Sequence, residues 1–260
     1  MSAVHIDSEG AGPSLVLVHS LLTDARAYDH LAAELASRYR LHRVWLPGFG
    51  PSPPLPDGSS PSVLDLADLV TEAMVDAGTG GGAAVLGNGL GAFVAVAMAI
   101  RHGYEFGPLI VANGGAAFSE ERRGAFNTMS RLVGESGMAA VVDTAVRRIF
   151  PTDYLSAHPE AIDERRRVLL EIHPASFAAC CRALHDMDLR FGLADIENPT
   201  LVIAGAADAT TPPEMSTELA AGVAGAELVV LEDCGHCPPL QQPAAFAAAV
   251  DGFLTRFGPN

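Results

Sequence analysis

Residues 83–91, AAVLGNGLG, and the segment that follows at 92–103, AFVAVAMAIRHG, decide the fold. A short apolar run stops at glycine, a glycine-rich turn follows, and an apolar segment of helical length begins at once. Strand, Gly-x-x-x-Gly, then helix is the setting of a nucleophile elbow. Its small residues permit a strained turn that lifts one side chain above the edge of a sheet. The elbow pattern is Gly-x-Ser-x-Gly, and here it reads Gly87-Asn88-Gly89-Leu90-Gly91. The nucleophile position is therefore Gly89, which carries neither hydroxyl nor thiol.

Outward from this turn, short apolar runs bounded by Gly, Pro or Asp alternate with longer segments of helical period. Strands are expected at 15–18, 41–45, 83–86, 109–112, 200–204 and 227–231. Continuous apolar runs, rather than alternating ones, belong to strands covered on both faces, as in a parallel sheet. Helices are expected at 27–37, 62–77, 90–102, 213–221 and 243–257. This order predicts an α/β fold, a mostly parallel central sheet flanked by helices. From about Phe118 to Ala194 the alternation breaks. There apolar residues recur at helical spacing (Phe126, Met129, Leu132, Val133; Val141, Val142, Ala145, Ile149), and charge clusters at 120–123 and 164–167 suit solvated faces. The expected division is a core of 1–117 and 194–260 with an inserted helical lid, 118–193. Such a lid covers the strand C-terminal ends, where α/β sheets bind ligands.

The chain has 260 residues, 49% of them hydrophobic and 18% charged, with a net charge of −15. That length suits one large domain or two small ones with ample core. The excess of acidic residues argues against nucleic acid or anionic membrane as partner, since both need basic surface. The longest apolar stretch, 92–100, is far short of a membrane span. The opening MSAVHIDSEG has neither the basic nor the apolar region of a secretory signal. Four cysteines, paired as Cys180-Cys181 and Cys234/Cys237, are too few for a disulfide framework. A cytoplasmic setting is expected, with a small-molecule substrate and no membrane or nucleic-acid partner; a homo-oligomer is left open.

The remaining parts of a hydrolytic site stand in chain order. Asp208 lies in GAADATTPP directly after the strand TLVIA, the place of a triad acid. His236 lies in LEDCGHCPPLQQP, after the last strand and before the closing helix, the place of a triad base. His19-Ser20-Leu21 follows the first long strand, where backbone N–H groups complete an oxyanion hole. Elbow, then Asp, then His is the order of this hydrolase architecture.

With those residues in place, the chain resembles the α/β-hydrolase superfamily over its full length. WLPGFGPS (45–52), GAADATTPP (205–213) and DCGHCPPLQQP (233–243) look like its lidded esterases, lactonases and C–C hydrolases. The stretch 177–214, FAACCRALHDMDLRFGLADIENPTLVIAGAADATTPPE, is most similar to 3-oxoadipate enol-lactonases, as is GMAAVVDTAVRRIF (137–150). The resemblance implies opening of an enol-lactone by water without a cofactor. It also implies that Asp208 and His236 are acid and base, and that the backbone N–H groups of Leu21 and Leu90 form the oxyanion hole.

Gly89 departs from that pattern and leaves three readings open. The chain is a Ser enzyme inactivated by a Ser-to-Gly change, which glycine's tolerance of strained dihedrals would leave folded. Or His236 with Asp208 activates water, or moves protons in a lyase- or isomerase-like step. Or the protein is a ligand-binding pseudo-hydrolase; retention of both Asp208 and His236 argues against this last.

Ser20 is either a displaced nucleophile or a loop hydroxyl bonded to backbone, and the second is the expectation. Cys234-Gly235-His236-Cys237 resembles a metal knuckle, but a zinc site wants four ligands and no second pair matches. No metal is expected there, and Cys180-Cys181 is expected to be packing. His102, His158, His173 and His185 are expected at the surface or in the lid. Arg182 and Arg190 are the candidates for holding a substrate carboxylate bidentately, against the plainer expectation of surface salt bridges.

Overall fold

The computed structural model describes residues 4–258. Six of its strands are the expected apolar runs: β2 (Ser14–Val18), β3 (Arg40–Trp45), β4 (Ala84–Asn88), β5 (Leu109–Ala112), β6 (Thr200–Gly205) and β7 (Glu227–Leu231). With β1 (His5–Gly10) they form one sheet in the order β1-β3-β2-β4-β5-β6-β7. Only β1 runs antiparallel to its neighbour.

β1 was not expected from the sequence. HIDSEG is polar because it is an edge strand with its side chains exposed or half-buried, so it carries no apolar signal. Its ladder to β3 and a 2.6 Å hydrogen bond from Trp45 Nε1 to Asp7 Oδ2 hold it. β4 runs two residues further than expected, because Gly87 and Asn88 continue the ladder opposite Val111 and Ala112.

Helices on both faces account for the continuous apolar strands. The core supplies α1 (Asp29–Leu35), α2 (Val63–Asp76) and α3 (Leu90–His102) before β5. After β6 it supplies α9 (Pro213–Gly222), α10 (Pro238–Gln241) and α11 (Pro243–Phe257). The expected helix at 27–37 divides into a 3-10 turn, Ala25–Tyr28, and the short α1. Asp24 caps that turn by accepting from the Arg26 backbone N–H. Successive strand residues point to opposite faces. Val16, Val18, Val85, Val111 and Val202 pack on the side of α2 and α3, whereas Leu15, Leu17, Leu86, Ile110 and Ile203 pack against α1 and α11.

Between β5 and β6 the chain forms α4 (Glu120–Ser136), α5 (Val142–Ile149), α6 (Thr152–Ala157), α7 (Glu160–Glu171) and α8 (Pro174–Asp186). α4 lies along α8. The two ends of this insertion meet in an antiparallel bridge, Ala117 with Asp188. Arg123 ties them further by donating to the carbonyls of Phe118 and Met187. Among the described residues no helix is long and apolar enough to cross a membrane.

Because β2, β4, β5, β6 and β7 are parallel, their C-terminal ends share one edge of the sheet. The residues that leave them are His19, Gly89, Asn113, Ala206 and Glu232. The topology therefore gathers Ser20, Gly89, Asp208 and His236 at that edge, although they are far apart in sequence.

Candidate active site

β4 ends at Asn88 and α3 begins at Leu90, so one residue makes the whole turn. Gly89 has φ 55° and ψ −118°, a conformation that side-chain-bearing residues rarely adopt and glycine takes readily. Gly91 is needed for a different reason, close approach. A Cβ there would fall on the Val18 carbonyl oxygen and lie 2.8 Å from that of His19. Without it, the first turn of α3 sits on the end of β2, and the Gly91 N–H reaches His19 O at 3.0 Å.

Asp208 and His236 meet across two loops. Asp208 Oδ1 accepts the backbone N–H groups of Thr210 (2.7 Å) and Thr211 (3.1 Å), the turn a short Asp side chain favours. Its Oδ2 accepts from Thr211 Oγ1 (2.6 Å) and from His236 Nδ1 (2.8 Å). Both residues are buried, 3% and 4% exposed. Donation from Nδ1 fixes the tautomer that leaves Nε2 free to take a proton. His236 is positioned from the backbone as well: its N–H donates to Ile149 O at the end of α5, and its carbonyl accepts from Asn88 Nδ2.

The Ser20 hydroxyl bonds to His236, not to backbone as expected. Its Oγ lies 3.4 Å from His236 Nε2. A Cβ placed on Gly89 would land on Ser20 Oγ and sit 2.8 Å from both Ser20 Cβ and His236 Nε2. The space an elbow side chain would use is thus filled by Ser20. The Ser20 loop is fixed by His19, whose Nδ1 donates to Ser20 O (2.9 Å) while its Nε2 accepts from the Leu46 N–H (3.1 Å). That donor–acceptor pattern is neutral imidazole, and burial pushes the His19 pKa below its ordinary value.

A narrow, mostly apolar pocket opens over these groups. Phe93 and Leu184 form part of its wall, and α4 contributes Phe126 and Met129. Leu21 and Leu90 also line it, and among the described residues neither of their backbone N–H groups has an intramolecular acceptor. One cation reaches the pocket, Arg148 of α5, and among the described residues it forms no ion pair.

Arg182 and Arg190 are placed elsewhere. Arg182 donates to Ser130 Oγ and Ser59 O, and Arg190 pairs with Asp188 in solvent. None of His102, His158, His173 and His185 lines the pocket. Cys180, Cys181, Cys234 and Cys237 are free and buried; burial pushes the Cys234 and Cys237 thiols up to about 12, so they remain protonated near neutrality.

Sequence reasoning missed Thr211, Asn88, Asn113 and Arg148. Asn113, at φ 48°, bonds through its side chain to Gly205 N and Gly235 O, joining the acid and base loops. Its signal was weak but present, an Asn directly after a strand, where a short amide tolerates the left-handed region.

The family model described as "Alpha/beta hydrolase family" matches residues 15–249. The chain belongs to that family. This alpha/beta hydrolase is 29% identical to 3-oxoadipate enol-lactonase 2 of Acinetobacter baylyi, over 94% of this chain and 90% of that one. It is 27% identical to the pimeloyl-[acyl-carrier protein] methyl ester esterase of Nitrosomonas europaea, over 96% and 99%. The crystal structure of the enol-lactonase from Burkholderia xenovorans matches with a TM-score of 0.91 at 28% identity, covering 97% of this chain and 96% of that one.

Proposed function

We propose that this alpha/beta hydrolase opens a small ester or lactone, with an enol-lactone as the model substrate. The observation that carries the reading is the buried 2.8 Å bond from His236 Nδ1 to Asp208 Oδ2, which aims Nε2 over Gly89 at the floor of the pocket. In this reading His236 is the general base that takes the proton of the attacking oxygen. Asp208 holds its tautomer and stabilises the imidazolium. The unpaired N–H groups of Leu21 and Leu90 receive the charge that develops on the carbonyl oxygen. The helices of 118–193 act as a lid, a role supported by Phe126 and Met129 of α4 lining the pocket. The esterase and enol-lactonase relatives support this class of substrate.

Arg148 narrows the class. A guanidinium that forms no ion pair among the described residues, sharing the pocket with Phe118, Phe126 and Met129, suits a substrate that carries a carboxylate away from the reacting carbonyl. The test is turnover of matched pairs of esters and lactones, one member of each carrying a terminal carboxylate, in wild type and Arg148→Met. Release of the acid product is expected, with KM for the carboxylate member raised about tenfold or more by Arg148→Met and kcat little changed. If no ester or lactone in the set is opened, the reading is wrong.

A further inference from the structure

We infer that the nucleophile of this enzyme is Ser20, on the loop after β2, and that Gly89 lacks a side chain because Ser20 takes its place. The inference rests on the hydrolytic reading above and specifies its attacking atom.

Three observations carry it. Ser20 Oγ is the hydroxyl bonded to the free nitrogen of the oriented base, His236 Nε2, at 3.4 Å. Such bonds are commonly long before substrate binds and shorten in the productive complex. Next, Ser20 Oγ lies 2.3 Å from where an elbow Cβ would stand, which places this oxygen beside an acyl group seated above Gly89. Finally, Ser20 is buried, 1% exposed, and its hydroxyl forms no other hydrogen bond among the described residues. A buried hydroxyl whose sole partner is the base is placed for proton transfer, not for holding a loop.

The relocation also keeps the oxyanion donors. At an elbow, one donor is the N–H of the residue after the nucleophile and the other comes from the loop after a neighbouring strand. With Ser20 as nucleophile, Leu21 is the residue after it and Leu90 comes from the other loop, so the pair is kept with its roles exchanged. The strained dihedrals fall on Gly89, where no Cβ resists them, and Ser20 has no positive φ.

The chemistry balances without a further reagent. Ser20 Oγ bonds to the acyl carbon while its proton passes to His236 Nε2. The carbonyl π pair moves to oxygen, facing Leu21 N and Leu90 N. Collapse breaks the acyl carbon–oxygen bond, and His236 returns the proton to the leaving alkoxide or enolate oxygen. Water then adds to the acyl carbon, giving its proton to His236. The Ser20–acyl bond breaks, and that proton restores the Ser20 hydroxyl.

The test is mass spectrometry of the enzyme after acid quench with an activated ester, and after treatment with a fluorophosphonate. An adduct on the peptide containing Ser20 is expected, absent in Ser20→Ala, with kcat for hydrolysis lowered at least 10³-fold. A second variant guards against misfolding. Ser20→Gly should lose the adduct, and Ser20→Gly with Gly89→Ser should regain it at position 89, because removing the Ser20 side chain frees the elbow. Ester turnover that survives Ser20→Ala, or an adduct on another residue, would overturn the Ser20 assignment and leave the hydrolase reading standing. Neither turnover nor adduct in the wild type would overturn both.

Discussion

His236 depends on a neighbour that also accepts three other donors. Thr210 N, Thr211 N and Thr211 Oγ1 hold Asp208 so that Oδ2 stays in line with Nδ1. Asp208→Asn keeps the volume but offers an amide donor to that nitrogen and favours the wrong tautomer. Where the same substitution was made in a Ser-His-Asp triad, kcat fell about 10⁴-fold, and a loss of that order is expected here with little change in KM. Steady-state kinetics on any accepted ester checks it; a variant retaining most of its kcat would mean that His236 does not work as an Asp-oriented base. Asp208, His236, Ser20, Leu21 and Leu90 were all legible as candidates, because chain order and strand context place them. What Ser20 bonds to was not legible. It depends on a contact 216 residues away in sequence, between two loops that only the finished sheet brings together.

Among the elements, the β4–α3 junction positions everything else. α3 is apolar around its whole circumference, with ten of its residues buried, so it cannot shift without opening the core. The approach of its first turn to β2 requires Gly91, where any Cβ would meet backbone oxygens that have nowhere to move. Gly91→Ala is expected to cost about 1–3 kcal/mol, as overpacking of a filled core does. It should also lower activity by displacing the Leu90 N–H. Urea unfolding together with kcat measures both; an unchanged midpoint would contradict the packing argument. Of the strands that the sequence announced, β2, β4, β5 and β6 are covered on both faces and keep a continuous apolar run, while β7 keeps its apolar run although Leu228 and Val230 are exposed at the far edge of the sheet. β1 escaped notice because its residues, HIDSEG, hold no apolar run, and Arg148 did because its spacing on α5 does not reveal that the last turn of α5 meets the His236 loop.

At the scale of the whole molecule, buried imidazoles set an acid limit. Burial is the leading cause of the lowered pKa at both His19 and His42. Each is therefore kept neutral in the folded state to a lower pH than in the unfolded chain, where histidine titrates near 6.5. Between those values the unfolded chain binds more protons, so stability is full above about pH 6.5 and declines as pH falls below it. Carboxylates with lowered values, such as Asp65 and Asp188, add their losses only near pH 4 and below. The urea midpoint is expected to be lower at pH 5 than at pH 7.5, and less dependent on pH in His19→Asn. A midpoint that rises on acidification would contradict the neutral, acceptor role of His19.

The role of His236 as the base of a hydrolytic site is tested most directly by kcat of His236→Ala against wild type on one accepted ester or lactone. General-base catalysis contributes about 10²–10⁴-fold, and a loss in that range or greater is predicted, with the melting curve retained. A variant that folds and turns over at the wild-type rate would contradict it.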